Sequence, residues 1–183
     1  VDDVLIAGEP EAVTAFRKEI ATDFAIRDFG EPKDFVGCEI ERDIKAGIAT
    51  FKQTKYIEKL GERYGVQALQ GSGPFATMDY TVKLAPSTDT DTRVDPTDYR
   101  SIIGALHYCA HCTRPDIAAS VSILSKFLSD PNTAHLKQAR KVLAFLLWSK
   151  HIGLTWQRDS PTGPPAAPLK PGIIAGFADA TFA

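Results

Sequence analysis

Residues able to do metal or acid chemistry stand at three places in the chain. Asp2 and Asp3 are adjacent, His107, Cys109, His111 and Cys112 fall within six positions, and Asp179 stands alone in a late apolar run. Two carboxylates beside Val4, Leu5 and Ile6 repel each other and resist burial, and a divalent cation relieves both costs. Magnesium takes carboxylate oxygens together with phosphates and waters. Neighbouring strand side chains point to opposite faces, so one ion shared equally by Asp2 and Asp3 requires a turn. Aspartate is also common in solvated hairpin turns, and the dipeptide taken alone fits that description better. The His/Cys group fails on geometry. At about 100° per helical residue, His107 and His111 share a face, Cys109 lies roughly opposite, and Cys112 is about a right angle or more away. There is no second Cys-x-x-Cys to complete a zinc site. Asp179, in "GIIAGFADATFA", suits a metal ligand or a turn, and its neighbours alone favour the turn.

The elements that must carry these residues follow from spacing. "VLIAG" reads as a short buried strand closed by Gly8. Val13, Phe16, Ile20 and Phe24 recur at helical intervals after Pro10, a suitable first-turn residue. Val36, Cys38 and Ile40 alternate with Gly37, Glu39 and Glu41, and "DIKAG" is a turn, so this stretch predicts a β-hairpin returning through "GIATF". "TKYIEKLGERYG" predicts a short helix, with Thr54 as a cap and Gly65 as its stop. Residues 66–97 are rich in Gly, Ser, Thr, Pro and Asp and predict a connector, with one short strand near "TVKLA". Three helices then follow. The first is capped by Asp95 before Pro96. The second runs from "TRPD" to about Leu128 with Ile117, Val121, Leu124 and Leu128 on one face. The third carries Leu136, Val142, Leu143, Leu146 and Leu147 and stops near Gly153. Each Leu or Ile buried in such a bundle contributes roughly 1.5–3 kcal/mol. "LTWQRD" suits a strand, and five prolines in "SPTGPPAAPLKPG" predict a stiff linker.

Composition bounds the function classes. The 183 residues are 44% hydrophobic and 24% charged, which is globular rather than disordered. A net charge of −2 hides an asymmetry. Residues 1–43 hold twelve acids and five bases, whereas residues 99–158 hold eight bases and two acids. An acidic front and a basic rear suit a metal-binding end and a phosphate-facing end, although solvated helix faces give the same pattern. Three cysteines give no disulfide framework and point to an intracellular, reducing compartment. The longest apolar run, "VLAFLLW", is far shorter than a membrane span. No signal or transit peptide is recognisable.

Taken in order, "VDDVLIAG", "DFGEPKDFVGCEIERD", "GIATFKQTKYIEKLGERYG", "YRSIIGALHYCAHCTRPDIAASVSILSKFLSDP", "AHLKQARKVLAFL" and "GFADATFA" closely resemble the Copia-type long-terminal-repeat retrotransposon Pol polyprotein. The matching region is the reverse transcriptase running into its ribonuclease H. The resemblance implies an α+β chain cut at both ends. Residues 1–53 would be palm-edge strands with the primer-grip hairpin, 54–158 a small thumb/connection helical bundle, 159–172 the linker, and 173–183 the first strand of a ribonuclease H-like domain. Asp2 and Asp3 would be palm carboxylates on Mg²⁺, and Asp179 the first ribonuclease H aspartate, also a metal ligand. Phe35, Val36 and Gly37 would hold the primer end. Arg114, Lys126, Lys137, Arg140 and Lys141 would lie along the nucleic acid. The chain departs from the family pattern at Thr181, where a second acid is usual, and at Phe182, where tryptophan is usual. The implied chemistry is two-metal nucleotidyl transfer on an RNA template and DNA primer, with the remaining catalytic acids elsewhere in Pol. The expected setting is a cytoplasmic virus-like particle, with no membrane partner, and the expectation for this chain alone is inactivity. Two other readings compete: a non-catalytic module gripping RNA–DNA hybrid, and a protein-interaction bundle.

Overall fold

The computed structural model describes residues 4–73 and 75–157. The architecture is α+β, with helices α1 to α5 and a four-stranded antiparallel sheet. The period-two pattern places Cys38 and Ile40 inward, and both are buried on β2 (Cys38–Asp43). On one side β2 pairs with the two-residue β1 (Asp34–Phe35), with Phe35 opposite Cys38. On the other it pairs with β3 (Ile48–Lys52), with Ile40 opposite Phe51. The β2–β3 turn is held by Asp43 Oδ1, which accepts from the Ala46 amide at 2.9 Å. The fourth strand, β4 (Leu154–Gln157), lies along β3. Thr50 and Thr155, 105 positions apart in sequence, bring their hydroxyls to 3.0 Å. Phe51 and Trp156 meet edge to face at 5.4 Å. The sheet is therefore a local hairpin completed by a strand that arrives after the whole helical part.

Between β3 and β4 the chain builds a helical core. Helix α2 (Thr54–Tyr64) ends at Gly65, whose φ of 59° is the left-handed cap that glycine adopts without strain. Helix α3 (Pro96–Cys112) starts as its spacing predicts, with Asp95 accepting from the Thr97 amide at 2.7 Å. A 3₁₀ turn (Pro115–Ile117) leads into α4 (Ala118–Ser125). Helix α5 (Thr133–Trp148) opens with a reciprocal cap. There Asn132 Oδ1 accepts from the Ala134 and His135 amides at 3.0 and 3.1 Å, and the Asn132 amide donates to His135 Nδ1 at 3.1 Å. Ile57 of α2, Ile102 and Leu106 of α3, Val121 of α4 and Leu143 of α5 meet in the centre, all buried. Gly61 permits the close approach of α2 to α5, since a Cβ there would lie 2.9 Å from Leu147 Cδ2.

Several expectations change. Val36, expected on the buried face with Cys38 and Ile40, is 60% exposed because it falls in the turn before β2, and α5 ends at Trp148 rather than near Gly153. Residues 4–7 form no strand, and Val4 and Leu5 are exposed, because no described strand runs alongside to take their backbone hydrogen bonds. Thr54 does not cap α2. Gln53 is the N-cap, and the Thr54 hydroxyl instead donates to the Lys150 carbonyl at 3.1 Å. "TVKLA" is not a strand. The connector is tied to the helices by polar groups, with the Asp79 amide donating to Gln138 Oε1 at 2.9 Å and His135 Nε2 at 3.0 Å from the Ala85 carbonyl. The second bundle helix stops at Ser125, not Leu128, where the Phe127 amide closes a tighter turn onto the Leu124 carbonyl at 3.2 Å. Helix α1 (Pro10–Asp23) forms where predicted, yet none of its residues is buried. The proline-rich linker and the stretch expected to begin ribonuclease H lie outside the described residues.

Candidate nucleic-acid interface

Phe35, Val36 and Gly37 form the tip of the β1–β2 hairpin. The two turn residues both have positive φ, 49° at Val36 and 75° at Gly37, as a tight two-residue hairpin turn demands. Glycine meets that demand freely, whereas a β-branched valine resists it. The tip is held from outside the sheet. The Tyr108 phenol of α3 donates to the Val36 carbonyl, while the Val36 side chain stays 60% exposed. A Cβ on Gly37 would stand 3.3 Å from the same phenol oxygen. The Tyr108 ring is braced edge to face by Tyr56 of α2 at 5.0 Å.

Cys38 and Cys109 are buried thiols. Burial, with Cys112 beside it, pushes the Cys38 thiol up, and burial pushes the Cys109 thiol up to about 12. Burial and the neighbouring Cys112 and Cys38 likewise raise the Tyr108 phenol, which stays a hydrogen-bond donor. His107 and His111 share one face as their spacing requires. Their rings stack at 5.4 Å, His107 Nε2 lies 2.9 Å from Ser125 Oγ, and His111 Nδ1 lies 2.9 Å from the His107 carbonyl. Cys109 is buried, and among the described residues no group of three His, Cys, Asp or Glu side chains is placed to hold a metal. Asp2, Asp3 and Asp179, the acids expected to carry Mg²⁺, lie outside the described residues.

The five basic residues separate into different environments. Arg114 has 0% exposure. Its Nε and Nη2 donate to the two Asp116 carboxylate oxygens at 3.0 and 2.7 Å, and Nη1 donates to the Ser149 carbonyl at 3.0 Å. Nη2 also reaches Ser149 Oγ at 2.6 Å, and the guanidinium lies 5.6 Å from the Phe145 ring centre. The expectation that Arg114 meets phosphate is therefore corrected: its donors are used inside the fold, joining the 3₁₀ turn before α4 to the end of α5. Lys126 is exposed at the end of α4. Lys137, Arg140 and Lys141 stand three and four positions apart and so share one side of α5. Lys137 and Arg140 are exposed. Arg140 donates to the Tyr64 carbonyl at 3.1 Å, at the negative end of α2, and Lys141 sits 3.9 Å from Asp79. Asp79 is held below its ordinary range chiefly by hydrogen bonds from Thr81.

Two residues that matter here had no distinct sequence signal. Tyr108 reads as one more aromatic beside a buried stripe, and nothing in its spacing names the carbonyl it reaches. Arg114 sits in a basic run, and only the "TRPD" turn, which brings Asp116 within two positions, hints at an internal fork.

Comparison with known proteins places the chain in a wider setting. It is 32% identical, over 187 aligned positions, to the retrovirus-related Pol polyprotein from transposon TNT 1-94 of Nicotiana tabacum. That alignment uses all of this chain and 13% of the relative. It is 30% identical over 163 positions to the putative transposon Ty5-1 protein of Saccharomyces cerevisiae, covering 87% of this chain and 51% of that one. The retrovirus-related Pol polyprotein from transposon RE1 of Arabidopsis thaliana is 30% identical over 155 positions, 84% of this chain and 10% of the relative. The chain thus spans about half of one of these relatives and a tenth to an eighth of the other two. No family model and no solved structure matches it.

Proposed function

The chain is homologous to a segment of the Pol polyproteins of Copia-type retrotransposons, and from that premise we propose that it serves the reverse transcriptase as the part that holds the template–primer. The hairpin tip at Phe35, Val36 and Gly37 meets the primer end. Lys126, Lys137 and Arg140 meet the phosphates of an RNA–DNA hybrid. Asp2 and Asp3 supply carboxylates to Mg²⁺ in the intact polymerase, and Asp179 belongs to the ribonuclease H that follows. The observation that carries this reading is the docking of the hairpin tip onto α3. It joins a turn with an exposed apolar side chain to a bundle that exposes Lys126 just after α4 and Lys137 and Arg140 on α5.

Nucleotidyl transfer by two metals calls on carboxylates from more than one strand, and Asp2 and Asp3 are one adjacent pair. The chain by itself is therefore expected to bind hybrid without extending a primer. Anisotropy titration of a labelled RNA–DNA hybrid tests the first half. Binding should weaken with salt, with a log–log slope of roughly −0.7 to −0.9 per phosphate neutralised. A Mg²⁺-dependent primer-extension assay tests the second. Absence of hybrid binding at low salt refutes the grip, and clear extension refutes the division of labour.

A further inference from the structure

We propose that Tyr108 is the positioning residue of the hairpin tip, its phenol holding the Val36 carbonyl so that Val36 and Gly37 keep the conformation that meets a primer 3′ end. This rests on the template–primer reading above. The hairpin has little else to fix its tip. Strand β1 is two residues long, and a valine occupies a turn position that favours Asn, Asp or Gly. Tyr108 reaches the tip from a helix that is itself anchored, since Tyr99, Ile102, Leu106 and Cys109 of α3 are buried. The neighbours of the phenol include the Cys38 thiol, whose pKa burial pushes up. The phenol therefore ties the tip of the hairpin to α3. Gly37 completes the fit from the other side, because a methyl group there would press on the phenol oxygen at 3.3 Å.

The test separates this role from general stability. Tyr108→Phe removes only the hydroxyl and keeps the ring against Tyr56. Two hybrids of equal length are compared by anisotropy on the full chain, one with a recessed primer 3′ end and one blunt. The unsubstituted chain is expected to prefer the recessed end. Tyr108→Phe should lose that preference while its affinity for the blunt hybrid stays within about twofold, and amide exchange at residues 36–38 should accelerate about tenfold or more. Lys137→Ala should weaken both hybrids equally. Gly37→Ala, which presses a methyl group on the phenol and sets alanine at a φ of 75° that it resists, should loosen the tip and also lose the preference. Retained preference and unchanged tip exchange in Tyr108→Phe would overturn the role of Tyr108. Equal binding of both hybrids by the unsubstituted chain would instead overturn the primer-end reading on which it rests.

Discussion

Replacing Arg114 measures whether a basic residue in this chain serves the core or the nucleic acid. Arg114→Ala removes four hydrogen bonds, two to Asp116 and two to Ser149. It also empties the space of a fully buried side chain against Phe145. The losses are unequal. The Asp116 side chain is 42% exposed, so its carboxylate rehydrates when the guanidinium leaves. Ser149 Oγ keeps a partner, because it donates to the Phe145 carbonyl at 2.8 Å. The Ser149 carbonyl loses the Arg114 donor but keeps the Ile152 amide, which donates to it at 2.9 Å. No buried acceptor is left bare and no charge is left buried, so the loss comes chiefly from the cavity, about 2–5 kcal/mol on the scale of large buried side chains cut back to alanine. The expectation is a loss of about 3–4 kcal/mol for Arg114→Ala and about 2 kcal/mol for Arg114→Met, which refills the volume. For a chain of this size the Ala variant then melts roughly 6–16 °C lower. Urea unfolding gives the value, with Trp148 reporting the bundle and Trp156 the sheet. Hybrid binding by the folded fraction should not change. A stability loss under about 1 kcal/mol accompanied by a clear fall in hybrid affinity would refute the reasoning and return Arg114 to the phosphate contacts.

Three further expectations follow from the same contacts. His135 must be neutral to fold, because its Nδ1 accepts from the Asn132 amide, and burial holds its pKa below the ordinary value of about 6.5. The unfolded chain then binds the extra proton, so stability is full above about pH 6.5 and declines as pH falls toward the folded pKa. Melting curves from pH 8 to 5 should show this slope, and His135→Gln should flatten it. Gly153→Ala drives a Cβ into the Phe51 carbonyl oxygen, so β4 is pushed away from β3. Amides of residues 154–157 should lose exchange protection, and unchanged protection would exclude the strand pairing. Lys137→Ala and Arg140→Ala should each reduce the salt slope of hybrid binding by about one, alike across sequences. An unaltered slope removes that residue from the contact set.

Elements whose burial is local were legible before any coordinates. Ile102, Leu106, Val121 and Leu143 announce their helices by spacing, and Asp95, Pro96 and Gly65 mark ends through chemistry confined to one turn. What stayed hidden depends on distant partners. The stripe of α1 is plain in the sequence, yet none of its residues is buried within the described chain. The strand expected at residues 4–8 has the composition of one and, among the described residues, no strand to pair with. Arg114 and Lys137 belong to the same basic run, and charge counting treats them alike. One is the core's polar joint and the other faces solvent, because only Arg114 has Asp116 and Ser149 in reach of its fork. His135 caps α5 through a ring nitrogen where the usual pattern has Glu or Gln, so the motif is invisible to a search for acids. At the hairpin, alternation gave the strands, but the pairing of Val36 with Tyr108 spans 72 positions and has no local trace.

The pairing of β4 with β3 has a consequence for how the chain acquires its shape. Contacts such as Thr50 with Thr155 close a loop of 105 positions, so they repay their entropy only after the intervening chain is compact. The hairpin and each helix can form early from near neighbours, while the fourth strand must wait. On a ribosome, Thr50 leaves the exit long before Thr155 is made, and the outer edge of β3 stands open for that interval. The helical bundle is therefore the scaffold that delivers the final strand. A lesion deep in that bundle, far from the sheet, would first be felt as a delay in closing it.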